Sequence, residues 1–198
     1  MLYVVIISVC WLLLTVVDTL CFQENFWEVL LVCGCAIVAV VIVDAIVATC
    51  CRLLPKRCVP YEGKVFRVSK REKLFYERVG IRKWKDKIPE IGHFTGFRKT
   101  KVEAPKSIEY VERFLLECRY GEVGHFVSCI FGFILLIPLP FLPTYSLAVT
   151  LPVAIINALL NLPSLLILRY NSYKLDILYQ SNLKRQARSA SVGNDRAL

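Results

Sequence analysis

The sequence predicts an all-α integral membrane protein: four transmembrane helices with a basic amphipathic cytoplasmic segment between spans 2 and 3. Three observations carry this. The chain is 56% hydrophobic, above the roughly 45–50% of ordinary soluble domains. Two blocks are nearly or wholly uncharged: residues 1–51 hold only Asp18, Glu24, Glu28 and Asp44, and residues 126–168 hold no charged side chain. All 25 Lys and Arg residues lie between or after these blocks, within a net charge of +9.

A spanning helix takes about 20 apolar residues to cross a hydrocarbon core about 30 Å thick. Residues 1–22 supply one such stretch and residues 27–51 a second. A cleaved signal peptide is the competing reading of residues 1–22, but the positive leading region and small-residue cleavage pattern are missing. The uncharged block from Phe126 to Leu168 is too long for one span and long enough for two, with Pro138, Pro140 and Pro143 placed for a hairpin turn. The short connections at Asp18–Phe26 and Pro138–Tyr145 hold no basic residue. By the Lys/Arg bias of membrane loops, the basic segment, the tail and both termini face the cytoplasm of a multi-pass cell-membrane protein. The predicted division is residues 1–54 for helices 1 and 2, 55–122 for the interfacial segment, 123–168 for helices 3 and 4, and 169–198 for a basic tail. The tail is Ser-, Arg- and Asn-rich after Asn182 and reads as disordered at its end.

Asp44 interrupts the second span. A carboxylate at membrane depth costs about 2.5–3.5 kcal/mol on insertion scales, so it faces protein, water or the interface. Arg52 is eight residues on and favours an interfacial position; a polar contact inside the bundle or at a substrate cleft is the alternative. The nine cysteines show no zinc spacing. Most lie in or beside spans, and Cys58 and Cys118 fall on the predicted reducing side. Cys50, Cys51 and Cys58 read as small apolar filler or as juxtamembrane acylation sites.

In the basic segment, Ser69 and Glu72 form a capping-box pattern that opens a helix from about Lys70 to Val79, closed by Gly80. A second short helix, about Ile81 to Ile88, ends at Pro89. Ile81, Trp84 and Ile88 share one face of it, with Arg82, Lys83, Lys85 and Lys87 around the rest, as in a helix lying in the headgroup plane. A plain solvated basic face is the alternative, and it leaves Phe75, Tyr76 and Trp84 unexplained. Residues 90–103 carry turn glycines and a second aromatic and basic cluster, Phe94, Phe97, Arg98, Lys99 and Lys101. A helix follows from about Pro105, with Ile108, Val111, Leu115 and Cys118 on its apolar face.

Farther along this helix, Arg119, Glu122 and His125 recur at a spacing of three and are expected to share a face at the membrane mouth. An imidazole beside a carboxylate is a usable general base; a snorkelling interfacial histidine with a solvated glutamate is the other reading. Gly121 and Gly124 leave room for a close approach. His93, in a glycine-bearing loop, is a weaker candidate. Walker, Rossmann, zinc and nucleophile-elbow patterns are all missing, and no nucleic-acid reader motif accompanies the charge.

Phe75-Tyr76, the run Ile81-Arg82-Lys83-Trp84-Lys85-Asp86-Lys87-Ile88-Pro89, Glu117-Cys118-Arg119 with Glu122 and His125, Asn161-Leu162-Pro163 and Arg169-Tyr170-Asn171 together resemble the glycosyl-4,4'-diaponeurosporenoate acyltransferases. These are small multi-pass bacterial membrane proteins of carotenoid glycolipid biosynthesis. The chain departs from that pattern at Lys70-Arg71 and at Ser172-Tyr173-Lys174. The resemblance implies transfer of a fatty acyl group from acyl-CoA or acyl-carrier protein to a sugar hydroxyl of a membrane glycolipid, with no bound cofactor, no metal and no nucleic-acid partner. For this reaction the spacing makes His125, Glu122 and Arg119 the catalytic candidates, with Arg119 or Arg169 facing the oxyanion or the donor phosphates. Trp84, Lys85, Arg98, Lys99, Asn161, Arg169, Tyr170 and Asn171 are the substrate-binding candidates. The HxxxxD pair of soluble-headed glycerolipid acyltransferases is not present at either histidine. Two further readings stand beside this one: another small lipid-modifying enzyme, and a non-enzymatic adaptor that gathers anionic lipids or partners on its basic segment.

Overall fold

The computed structural model describes residues 2–59, 63, 65–88, 102–137 and 146–195. Among these residues the regular elements are helical: α1 (Leu2–Phe22), α2 (Phe26–Leu53), α3 (Lys70–Arg78), α4 (Ile81–Trp84), α5 (Ile108–Phe131) and α6 (Ser146–Asp195), with short 3-10 turns between. Three helical stretches among the described residues are long and apolar enough to cross a membrane: Tyr3–Phe22, Phe26–Leu53 and Ser146–Ser189. The predicted third span is built differently. Its apolar residues are the tail of α5, which starts at Ile108 and tightens into a 3-10 stretch over Gly132–Leu136. The predicted hairpin prolines lie outside the described residues.

The chain divides into two compact units, residues 1–53 with 122–165, and residues 54–121 with 166–198. In the first, α1 ends in a left-handed residue, Gln23 at φ 54°, which reverses the chain within three residues. Asn25 then caps α2, its side-chain oxygen accepting the Trp27 N–H at 2.9 Å and its carbonyl accepting from Glu28 and Val29. Trp11 of α1 donates its indole N–H to the Leu30 carbonyl at 3.0 Å, and its ring lies where a Cβ on Gly34 would come within 3.0 Å. Only glycine lets the indole lie this close to α2. Val29, Cys33, Ala36 and Val40 of α2 bury against Val149 and Val153 of α6, while Leu20, Leu31 and Ile46 point outward. That inversion suits a helix surrounded by lipid, where backbone groups must be satisfied within the helix.

In the second unit, the Ser69 hydroxyl accepts the Glu72 N–H at 3.1 Å and caps α3. Gly80, left-handed at φ 73°, turns the chain into α4. Val111, Phe114, Leu115 and Cys118 of α5 close one core with Leu175 of α6. A second core joins Val68, Tyr76 and Ile81 to Ile167 and Tyr170 of α6, with Trp84 and Ile88 packed against it. The Ile81–Trp84–Ile88 face, predicted to lie on lipid, therefore meets protein: Tyr170, fully buried, takes the place assigned to the bilayer.

α6 runs 50 residues through Pro152 and Pro163 and continues past Asn182, where composition predicts loss of order. Leu175, Leu178 and Tyr179 pack on α5, and the Asn182 amide donates to the Pro105 carbonyl at 2.8 Å. These contacts hold α6 as far as Asn182.

Candidate functional site

In the first unit, three helices bring polar side chains together inside an otherwise apolar bundle. α2 supplies Asp44, α5 supplies His125, and α6 supplies Asn157 and Asn161, one turn apart on the same face. The Asn161 amide nitrogen donates to the Asp44 carboxylate at 3.0 Å, to the Asn157 carbonyl at 3.1 Å and to the Asn157 side-chain oxygen at 3.1 Å. On its other side, the Asn161 oxygen meets His125 Nδ1 at 2.7 Å. The Asn157 amide points to the second Asp44 oxygen at 3.4 Å and to the Ser128 carbonyl at 3.3 Å. Asn157 and Asn161 are both buried, and His125 is half-buried. Asp44 thus makes a polar contact with its neighbours in this unit, where two amides satisfy its carboxylate. An apolar cavity lined by Trp11, Leu14, Ile37, Val40 and Val153 reaches Asn157. Gly132 is closely approached here: a Cβ on it would fall 2.7 Å from the Asn157 amide nitrogen, so that side chain would have to shift.

The predicted catalytic residues all lie on α5, which is helical throughout. Glu122 is buried one turn before His125, and Arg119 is buried farther back. At about 100° per residue, each step of three drifts by about 60°, so Arg119 and His125 stand about 120° apart around the helix rather than on one face. The His125 Nδ1 partner is Asn161, and the Arg119 guanidinium lies 5.9 Å from the centre of the Phe66 ring. At Gly121 a Cβ would meet Leu168 at 2.7 Å, whereas Gly124 has open space around it.

The second unit holds its own polar cluster. Arg169 grips Glu72 through two parallel bonds, Nε to Oε1 at 2.5 Å and Nη2 to Oε2 at 3.0 Å, and donates to the Val65 carbonyl at 3.1 Å. The Tyr76 hydroxyl donates to the same Glu72 carboxylate. Burial works to raise the Glu72 pKa, but the Arg169 and Tyr76 hydrogen bonds and the Arg169 charge outweigh it and hold the carboxyl below its ordinary value. Burial, with the Glu72 carboxylate beside it, pushes the Tyr76 phenol up to about 12. Arg82 Nε donates to the Tyr170 hydroxyl at 2.8 Å and pairs with Glu77. A paired, bidentate Arg169 and a fully buried Tyr170 hold the fold here.

The remaining substrate-binding candidates are scattered among different roles. Trp84 donates to the Val79 carbonyl at 3.3 Å, Lys85 lies 3.9 Å from Asp86, and Asn171 is buried. Arg98, Lys99 and His93 lie outside the described residues. Among the described residues, no three His, Cys, Asp or Glu side chains gather as metal ligands would.

The model of one protein family, glycosyl-4,4'-diaponeurosporenoate acyltransferase, matches residues 61–181. The chain belongs to that family. No curated protein and no solved structure matches it. The glycosyl-4,4'-diaponeurosporenoate acyltransferase match places the chain among acyltransferases in a carotenoid glycolipid context. It covers His125, Asn157 and Asn161 but not Asp44, which belongs to the segment before it. The Phe75-Tyr76 and Arg169-Tyr170 motifs of this acyltransferase resolve largely into the core and ion pairs of the second unit.

Proposed function

We propose that the protein is a membrane acyltransferase that moves a fatty acyl group from a thioester donor, acyl-CoA or acyl-carrier protein, to a sugar hydroxyl of a glycosyl carotenoid, with His125 as general base. The observation that supports this best is a half-buried imidazole held at 2.7 Å by Asn161 among buried polar groups in an apolar bundle. In the step, the imidazole takes the hydroxyl proton as the sugar oxygen attacks the thioester carbonyl carbon. The tetrahedral intermediate collapses with cleavage of the C–S bond, and the imidazolium returns the proton to the leaving thiolate. Glu122 is buried one turn before His125 on α5. Exposed Arg82, Lys83 and Lys87 draw in an anionic donor. The topology that goes with this reading has four spans, with the basic segment and both termini in the cytoplasm, where thioester donors are made.

The test is turnover of purified protein in nanodiscs, with labelled acyl-CoA or acyl-carrier protein as donor and glycosyl-4,4'-diaponeurosporenoate as acceptor. His125→Ala is expected to lower kcat by about 10²–10⁴-fold with the acceptor KM little changed. Unchanged turnover would remove His125 from the chemistry.

A further inference from the structure

The Asn161 side chain has its amide nitrogen facing three acceptors: the Asp44 carboxylate, the Asn157 main-chain carbonyl and the Asn157 side-chain oxygen. A main-chain carbonyl can only accept, so the NH2 end must be on that side whatever the state of the carboxylate. The oxygen end is therefore turned to His125, 2.7 Å from Nδ1. An amide oxygen can only accept, so in the neutral imidazole Nδ1 carries the hydrogen and Nε2 carries the lone pair. From this geometry we infer that Asn161, seated by Asp44 and Asn157, is a positioning residue that holds His125 in the Nδ1–H tautomer and makes Nε2 the proton-accepting atom. The inference deepens the general-base reading and rests on it for its functional consequence.

The arrangement explains a cost that packing alone would not. A carboxylate and two amides inside a bundle must all be paired or they destabilise it. Here they form one chain of donors and acceptors from α2 through α6 to α5, ending on the imidazole. Asp44 adds a strong acceptor that keeps the Asn161 amide from rotating, and Asn157, itself bonded to Asp44 and to the Ser128 carbonyl, keeps that acceptor in place. In a Ser-His-Asp triad, an imidazole in the wrong tautomer costs about 10⁴ in kcat, so the orientation of one amide has a large lever on rate.

The tautomer can be read without turnover. The chain has two histidines, so nitrogen-15 imidazole spectra of ring-labelled protein in nanodiscs give two sets of signals, and the His125→Gln variant assigns the one it loses. At a pH where His125 is neutral, its signals are expected to be those of Nδ1–H. Asn161→Leu is expected to move the hydrogen to Nε2, the site preferred by imidazole in water, and to lower kcat by about 10²–10⁴-fold. The isosteric Asp44→Asn variant, which keeps an acceptor oxygen, is expected to retain the Nδ1–H signature with a smaller loss of rate. An Nε2–H signature in the unaltered protein overturns the proposal, as does an Asn161→Leu protein with the tautomer unchanged. Should Asn161→Leu fail to fold, the unaltered spectrum still decides. Should His125→Gln keep full turnover while the Nδ1–H signature is present, the general-base reading falls and the tautomer assignment stands.

Discussion

Single atoms decide most at Gly132, Glu72 and Tyr76. Gly132→Ala puts a methyl group 2.7 Å from the Asn157 amide nitrogen, so Asn157 must leave Asp44 or Ser128. The expected outcome is a drop in kcat of roughly 10-fold or more, while circular dichroism stays helical, because the displaced group belongs to the polar chain that ends at His125. Glu72→Gln breaks the bidentate bond to Arg169 and is expected to cost about 1.5–3 kcal/mol of stability, the scale of a hydrogen bond to a charged group, read from thermal unfolding in detergent. The two ionisations also set a pH window. The Glu72 carboxyl is held below its ordinary value, so its stabilisation is present above that value and is lost as pH falls through the folded one. Tyr76, raised to about 12, stays neutral in the folded chain while the unfolded phenol ionises near 10. Stability should therefore also fall as pH rises from about 10 towards 12, checked by thermal unfolding alongside phenolate absorbance. His125 and Asn161 could each be singled out from the sequence, one by its chemistry and the other by its place in a motif. Their link to Asp44 could not: the two ends are 117 residues apart, and no periodicity within one helix reports a contact with another.

At the scale of elements, α6 departs most from what composition predicts. Ser, Arg and Asn residues after Asn182 read as a polar tail, yet the helix runs to Asp195, beyond Leu175, Leu178 and Tyr179, which pack on α5. Asn182 then pins that stretch to Pro105 at 2.8 Å. Asn182→Leu is expected to speed amide hydrogen exchange by several-fold beyond about residue 178, leaving the membrane-embedded half of α6 protected. The short helices show the opposite balance. The α3 boundaries, its Ser69 cap and its Gly80 stop follow directly from local signals, which act within one turn and need no knowledge of the rest of the fold. What α4 packs against does not follow. An apolar stripe ringed by lysines suits a lipid surface and a protein partner equally, and only Tyr170, far along the chain, decides between them.

Across the whole molecule, the apolar blocks are plain from charge distribution, and their length suits helices, since a bilayer admits only helices and closed barrels. The predicted orientation has a direct test. Cys21 and Cys58 are both exposed, whereas Cys118 is buried and a poor probe. With the other cysteines replaced, an impermeant maleimide added to intact cells is expected to label Cys21 and to reach Cys58 only after permeabilisation; the reverse pattern would invert the topology. A last consequence attaches to Asp44. The stretch that matches the family model begins at residue 61, so the imidazole and both asparagines travel with it and the carboxylate does not. A hybrid gene that swaps in a foreign leading pair of helices would keep every motif residue from 61 to 181, yet take from the Asn157 and Asn161 amides the carboxylate that joins them, leaving them only the Ser128 and Asn157 oxygens.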